Sequence, residues 1–262
     1  MTKTILITGS TDGIGLLTAK KLAADGHKVL LHGRSTSKLD NAATDVGGDV
    51  ETYTADLSDL SAVRELAESV KAKHDKLDVL INNAGVLKAP QTVLANGQDI
   101  RFVVNTLAPY LLTELLMPII PADGRVVNLS SAAQAPVNLN ALEGSVPLDD
   151  MEAYAQSKLA ITIWTREWAK SLSDAPVMVA VNPGSLLASK MVKEGFGLAG
   201  NDMNIGADIL IDAALGDRFA DASGAYFDND SGAFANPHAA ALDKAHVADV
   251  MNSIRGLINQ TN

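Results

Sequence analysis

Short β-branched or leucine-rich runs alternate along this chain with helix-length amphipathic segments, and that alternation restricts the fold more than any other feature. The runs at 4–7, 28–31, 51–54, 79–81, 125–129 and 177–181 are mostly apolar without a strict polar interleaf, as strands buried on both faces are. The segments near 16–24, 37–46, 62–73, 100–116 and 153–172 are long enough to cross back over a sheet. The order predicts an α/β, doubly wound, seven-stranded, mostly parallel sheet with helices on both faces. A seventh strand is expected at 225–227 and a closing helix near 247–258. No linker, fixed-period repeat or low-complexity tract interrupts it, so one domain over residues 1–262 is expected.

Composition removes several partner classes. With Lys+Arg 21 against Asp+Glu 31 the chain carries a formal charge of -10, which repels nucleic acid and anionic membrane surfaces alike. Cysteine is absent, which fits a reducing compartment and leaves no thiol nucleophile. The first strand pattern follows Met1 directly with no leader pattern, and the expectation is a cytoplasmic protein. The apolar stretch 102–120 contains Asn105, Thr106, Pro109, Thr113 and Glu114, a mixture that reads as a buried helix and not a membrane span. His27, His32, His74, His238 and His246 show no ligand spacing, so no metal is expected. Trp164 and Trp168, four apart on a helix, read as core.

Chemistry in such sheets sits beyond the carboxyl ends of the strands. After strand one the chain runs Thr8-Gly9-Ser10-Thr11-Asp12-Gly13-Ile14-Gly15 into a helix. Glycines there let the backbone approach a pyrophosphate, to which a helix N-terminus offers free N–H groups. Strand two ends Gly33-Arg34-Ser35, and the forked donors of Arg34 suit a ribose 2′-phosphate where an acid would mark a free 2′-hydroxyl. NADP(H) is therefore expected in preference to NAD(H). Tyr154 and Lys158 stand one helical turn apart, which predicts a proton-donating phenol whose pKa is lowered by the neighbouring ammonium.

With these motifs in this order, the chain resembles the short-chain dehydrogenase/reductase family over nearly its whole length. The Thr8–Gly15 run has the family's TGxxxGxG spacing, Asn82-Asn83-Ala84-Gly85 looks like its NNAG, and Asp56-Leu57 looks like its adenine contact. The resemblance implies a Rossmann-type fold that binds the dinucleotide through Gly9, Ser10, Thr11, Asp12, Gly13, Ile14, Gly15, Arg34, Ser35, Asp56, Leu57, Asn83, Ala84, Gly85, Pro183 and Gly184. It further implies a catalytic set of Asn105, Ser131, Tyr154 and Lys158. Tyr154 donates the proton, Ser131 binds the carbonyl oxygen, Lys158 tunes the tyrosine and holds the nicotinamide ribose, and Asn105 holds a water.

Two positions depart from the pattern. Asp12 stands where many NADP-using members have a basic residue, so the cofactor expectation rests on Arg34. The stretch between Ser131 and Tyr154, with Glu143, Asp149 and Asp150, is longer than in compact members and is similar to the retinol-dehydrogenase-like branch. It is expected to wall the pocket.

The function implied is a carbonyl reductase or alcohol dehydrogenase acting on a small to medium, largely apolar molecule, with homodimer or homotetramer pairing through the helices of Asn105 and Tyr154. The alternative is a non-catalytic, dinucleotide-sensing regulator on the same fold. A sugar-nucleotide epimerase is a further rival, disfavoured by its different glycine spacing. The segment 185–204 interleaves Leu186, Leu187, Met191, Val192, Phe196, Leu198 and Met203 with glycines, as a lid over an apolar substrate would.

Overall fold

The computed structural model describes residues 1–172, 175–188, 193, 195, 197 and 199–260. Among the described residues eight strands form one sheet in the order β3-β2-β1-β4-β5-β6-β7-β8. They are β1 (Thr4–Ile7), β2 (Lys28–Gly33), β3 (Val50–Thr54), β4 (Val79–Asn82), β5 (Arg125–Leu129), β6 (Val177–Asn182), β7 (Tyr226–Asp228) and β8 (Ala233–Ala235). The first seven pair in parallel and β8 returns antiparallel on β7. The doubly wound expectation holds, with one strand more than the pattern indicated. β8 is three residues long and exposed, too short for periodicity to register, although Asn229-Asp230-Ser231-Gly232 before it carries turn chemistry.

Alternation along each strand builds two cores. Leu6, Leu30, Leu80 and Val126 point to one face and pack with the helices α3 (Leu60–Lys71), α5 (Ala108–Leu116), α7 (Asp150–Ser171) and the C-terminal helix Lys244–Asn259. Ile5, Ile7, Val29, Leu31, Ile81 and Val127 point to the other, under α1 (Gly13–Ala24), α2 (Thr36–Val46) and the helix Met203–Leu215. Each of these strand side chains is essentially inaccessible to water. Burying one is worth about 1.5–3 kcal/mol, so opposed apolar faces hold the three layers together. Asp12, Ser35, Asp59 and Asp149 cap α1, α2, α3 and α7, which is why those helices begin where they do.

The helical run expected at 100–116 is not one regular helix. It opens as α4 (Ile100–Phe102), widens to a π-helical stretch at Val103–Leu107, and returns to α geometry in α5. A π-helical turn is common at functional sites, and no hydrophobic period announces it. By length and composition residues 100–119 could span a bilayer, yet 72% of that window is buried in the protein. Trp164 and Trp168 are core, edge-on to each other at 5.6 Å and both against Tyr110.

Arg101 is 2% exposed, and its guanidinium bonds Asp99 (Nε to Oδ1, 2.7 Å) and pairs with Asp150, the first residue of α7. This pair fastens the start of α4 to the start of α7. Arg101→Ala leaves the half-buried Asp99 without its cation. Unfolding in urea is expected to show a loss of about 1.5–3 kcal/mol, the usual result of removing a charged hydrogen-bond partner; a loss below about 0.5 kcal/mol would show that the pair does not hold the two helices.

Candidate active site

The sheet order reverses between β1 and β4, and a cleft opens where the loops after these strands diverge. The two loops are stitched together by side chains. Thr8 Oγ1 accepts from the backbone N–H groups of Asn83 and Ala84, each at 3.0 Å. Asn83 Nδ2 donates to the carbonyls of Thr8 (2.8 Å) and Gly9 (3.0 Å). A Cβ on Gly9 would lie 2.9 Å from Ala84 Cα, and one on Gly15 2.4 Å from Asn83 Nδ2. Only glycine permits this approach, and at Gly9 and Gly13 the backbone is also left-handed, at φ +66 and +57.

A cavity of about 780 Å³ extends from this point, lined by Gly9, Thr11, Asp12, Gly13, Ile14 and Gly15 on one side and Asn83, Ala84 and Gly85 on the other. Its floor is backbone with few side chains, a surface that fits a diphosphate. Ser10 is not on the wall. It is fully buried, and its hydroxyl accepts from the His32 N–H at 2.9 Å. Asp12 lines the cavity but takes the Gly13 N–H at 2.7 Å, so the protein's own acid satisfies one donor at the α1 N-terminus.

At one end of the cavity stand Arg34, Ser35, Asp56 and Leu57, together with Lys38, which the sequence reading missed. Arg34 is exposed, and Lys38 one turn into α2 doubles the local positive charge. Lys38 follows Arg34 by four residues and could have been found by that spacing. His32 was also passed over. Its ring is buried, accepting from the Gly9 N–H on Nδ1 (3.2 Å) and meeting the Ala55 carbonyl through Nε2 (3.2 Å). Those partners demand the neutral ring, and burial lowers its pKa to about 4.

At the other end, Ser131, Tyr154 and Lys158 meet on the wall. The Ser131 side chain acts on the Tyr154 phenol and favours its ionised form. Lys158 Nζ donates to the Leu129 carbonyl at 2.8 Å and lies 5.6 Å from the centre of the Tyr154 ring. The expected lowering of the phenol's pKa by the ammonium is not what this arrangement produces. Burial raises the Tyr154 pKa, and Ser131 pulls it part of the way back. Burial also depresses Lys158, to about 8. Spacing gave the helical face correctly, but the direction of the shift belongs to the depth of the site.

Asn105 is fully buried in the π-helical stretch and does not line the cavity. Its Oδ1 accepts from Val86 N (2.8 Å), and its Nδ2 donates to Val86 O (2.9 Å) and to Ser157 Oγ (2.9 Å). Both amide hydrogens are spent, so it clamps the loop after β4 onto the tyrosine-bearing helix. Only its oxygen atoms remain to hold a water.

Pro183, Gly184, Ser185, Leu186 and Leu187 follow β6 along the cavity. Leu186 has φ +53, uncommon for a leucine. Ala188 N donates to Asn201 O (2.8 Å) and Asn201 N to Leu186 O (2.6 Å), so two points of the proposed lid are pinned to each other. Met191, Val192, Phe196 and Leu198 lie outside the described residues. The long segment before Tyr154 contributes Ala132, Ala133 and Met151 to the wall and little else. Its middle turns to the C-terminal helix instead, with Glu143 accepting from Ser253 Oγ (3.0 Å) and His246 Nε2 from Val137 N (3.2 Å).

The arrangement offers a backbone-lined trough, a cationic end, and a phenol and a serine hydroxyl together on a wall with apolar neighbours. Comparison with known proteins agrees with it. A family profile for short chain dehydrogenase matches residues 3–196. Human Retinol dehydrogenase 13 is 33% identical over 258 residues, covering 86% of this chain and 76% of its own. An uncharacterized protein from Mycobacterium paratuberculosis superposes with a TM-score of 0.83 at 31% identity, covering 98% of this chain and 93% of that one. A short chain dehydrogenase from Burkholderia cenocepacia J2315, solved in complex with NADP, has a TM-score of 0.69 at 25% identity over 86% of this chain and 95% of its own. The chain belongs to the short-chain dehydrogenase family, and it is an oxidoreductase that acts on alcohol or carbonyl groups with a nicotinamide cofactor.

Proposed function

We propose that this protein is an NADP(H)-dependent carbonyl reductase or alcohol dehydrogenase for small, largely apolar substrates. When bound, the dinucleotide supplies or accepts the hydride. The rest is done by side chains. Tyr154 gives its phenolic proton to the oxygen of the carbonyl being reduced, and takes it back in the reverse direction. Ser131 hydrogen-bonds the same oxygen and orients it toward the phenol. The single observation that carries this reading is that Ser131, Tyr154 and Lys158 line the same cavity wall, with Ser131 near enough to the phenol to lower its pKa. A phenol with a raised pKa stays protonated at neutral pH, which suits a donor in the reducing direction.

Lys158 holds the nicotinamide ribose, and its anchor on Leu129 fixes where the ammonium stands. Arg34 and Lys38 take the 2′-phosphate, and the NADP-bound Burkholderia neighbour supports that choice of cofactor. Leu87, Ile100, Val104, Met151, Leu186 and Leu187 give the cavity an apolar wall, and the retinol named for the human relative is itself an apolar alcohol.

Tyr154→Phe removes one hydroxyl and keeps the ring. Turnover of a ketone or aldehyde, followed by NADPH absorbance, is expected to fall at least ~100-fold while NADPH affinity is retained. Near-normal turnover would remove Tyr154 from the reaction.

Arg34→Ala deletes a charged donor worth about 1.5–3 kcal/mol. Titration should show NADPH binding weakened roughly 10- to 100-fold and NADH binding much less affected. Equal losses for both would mean that Arg34 does not read the phosphate.

Lys158 has a folded pKa of about 8, below the ordinary lysine value of 10.5. Across that window the unfolded chain binds more protons than the folded one, so stability rises with pH between about 8 and 10.5. In Lys158→Met this contribution should vanish. Urea unfolding at several pH values checks it, and parallel curves for the two proteins would show that the lysine is not depressed.

A further inference from the structure

The functional atom of Ser131 is its hydroxyl, but its position is set by the other side of the residue. Residues 131–138 follow β5 without regular secondary structure, and the β5–β6 ladder ends with Ser130 N donating to Val181 O at 2.8 Å. The Ser131 main-chain carbonyl is instead held by two side chains. Tyr226 Oη donates to it at 3.0 Å and Gln134 Nε2 at 2.9 Å. Gln134 is itself steadied, since its Oε1 accepts from His238 N at 2.9 Å. On the hydroxyl side, Ser131 Oγ accepts from Ala133 N at 3.1 Å.

Tyr226 opens β7 and lies beyond residue 196, where the family match ends. It is 5% exposed, so its hydroxyl has little access to water and is committed to the protein. Burial and the Asp228 carboxylate push its phenol well above the usual tyrosine value, which keeps it a neutral donor throughout the working range. The turn after β7 reaches the other side of the same end of the cavity. Asp230 accepts from Ser185 N (2.7 Å) and from Asn182 Nδ2 (2.9 Å), and Asn229 Nδ2 donates to Pro183 O (3.0 Å). One hairpin therefore braces both the serine and the turn opposite it.

We propose that Tyr226 is a positioning residue for proton transfer: by holding the Ser131 carbonyl it aims the Ser131 hydroxyl at Tyr154. The inference rests on the roles of Ser131 and Tyr154 proposed above. Rotating the 131 peptide would swing the hydroxyl away from the phenol. The group facing Tyr154 that would then remain is Lys158, and its ammonium is bound to Leu129. Near Tyr226 the charged groups are Asp228 and Asp230.

The test compares Tyr226→Phe, Ser131→Ala and the double variant, each for kcat, NADPH affinity and the pH dependence of kcat. Tyr226→Phe removes one hydrogen-bonding hydroxyl and conserves the ring. It is expected to lower kcat roughly 3- to 10-fold, the rate equivalent of one neutral hydrogen bond, with NADPH affinity changed by less than about twofold. The Ser131 side chain lowers the Tyr154 pKa, so displacing it moves the kcat limb that reports Tyr154 to higher pH. That shift should run in the same direction as the shift in Ser131→Ala, and the double variant should be no slower than Ser131→Ala alone. A purely structural role for Tyr226 predicts additive losses and an unmoved limb, and either result overturns the inference. If Ser131→Ala leaves kcat and the limb unchanged, the reading of Ser131 itself falls, and this inference with it. Should Tyr226→Phe fail to fold, Gln134→Leu removes the other donor to the same oxygen and must give the same limb shift.

Discussion

Everything at the site depends on two backbones coming closer than side chains normally allow. Where β1 and β4 diverge, Gly9 and Gly15 leave no room for a Cβ against Ala84 and Asn83. Asn83 uses that closeness to bond the carbonyls of Thr8 and Gly9, and Thr8 returns a hydroxyl to two N–H groups of the second loop. In a parallel sheet the strand ends leave backbone groups unpaired, and here they pair across the switch point. The result is a rigid trough with its remaining donors facing outward. His32 extends the same lattice to the third strand's loop by bonding Gly9 and Ala55 through one neutral ring.

A second set of polar contacts decides where the catalytic helix stands. Asn82 bonds Asn128 (2.7 Å) and Thr113 (3.0 Å), Asn128 bonds Thr165 (2.9 Å), and the Ser130 and Thr162 hydroxyls meet at 2.6 Å. Asn105 and Thr106 reach Ser157 from the π-helical stretch. All of these groups are buried, so each mismatch of register would leave unpaired polar atoms in a dry interior. Apolar packing alone would tolerate a small slide of α7; this network does not. Arg101 closes it at the helix start through Asp150.

Lys158 illustrates the cost of such depth. The residue is 4% exposed, with its ammonium donating to the Leu129 carbonyl, and that burial lowers its pKa to about 8. The same burial raises Tyr154 and opposes the ionisation that helical spacing alone would have favoured. Burial therefore governs both Tyr154 and Lys158, and Ser131 is the neighbour that moderates the phenol. Small displacements of Ser131 matter to it.

Much of this was legible in the residues before any coordinates. Strand runs buried on both faces and helices of crossover length specify a doubly wound sheet, because side-chain periods of 2 and 3.6 are local geometry. The glycine turn, Arg34 and the Tyr154–Lys158 pair were legible for the same reason, since each is a short-range pattern with its own stereochemistry. Ser10 and Asn105 stand at the motif positions but are buried away from the cavity, because whether a side chain faces a cavity depends on what packs behind it. The π-helical widening, the short exposed β8, the bond from Tyr226 to a carbonyl 95 residues away and the upward shift of Tyr154 had no local signature. Each is produced by burial or by contacts between segments distant in the chain, and these exist only once the layers have closed.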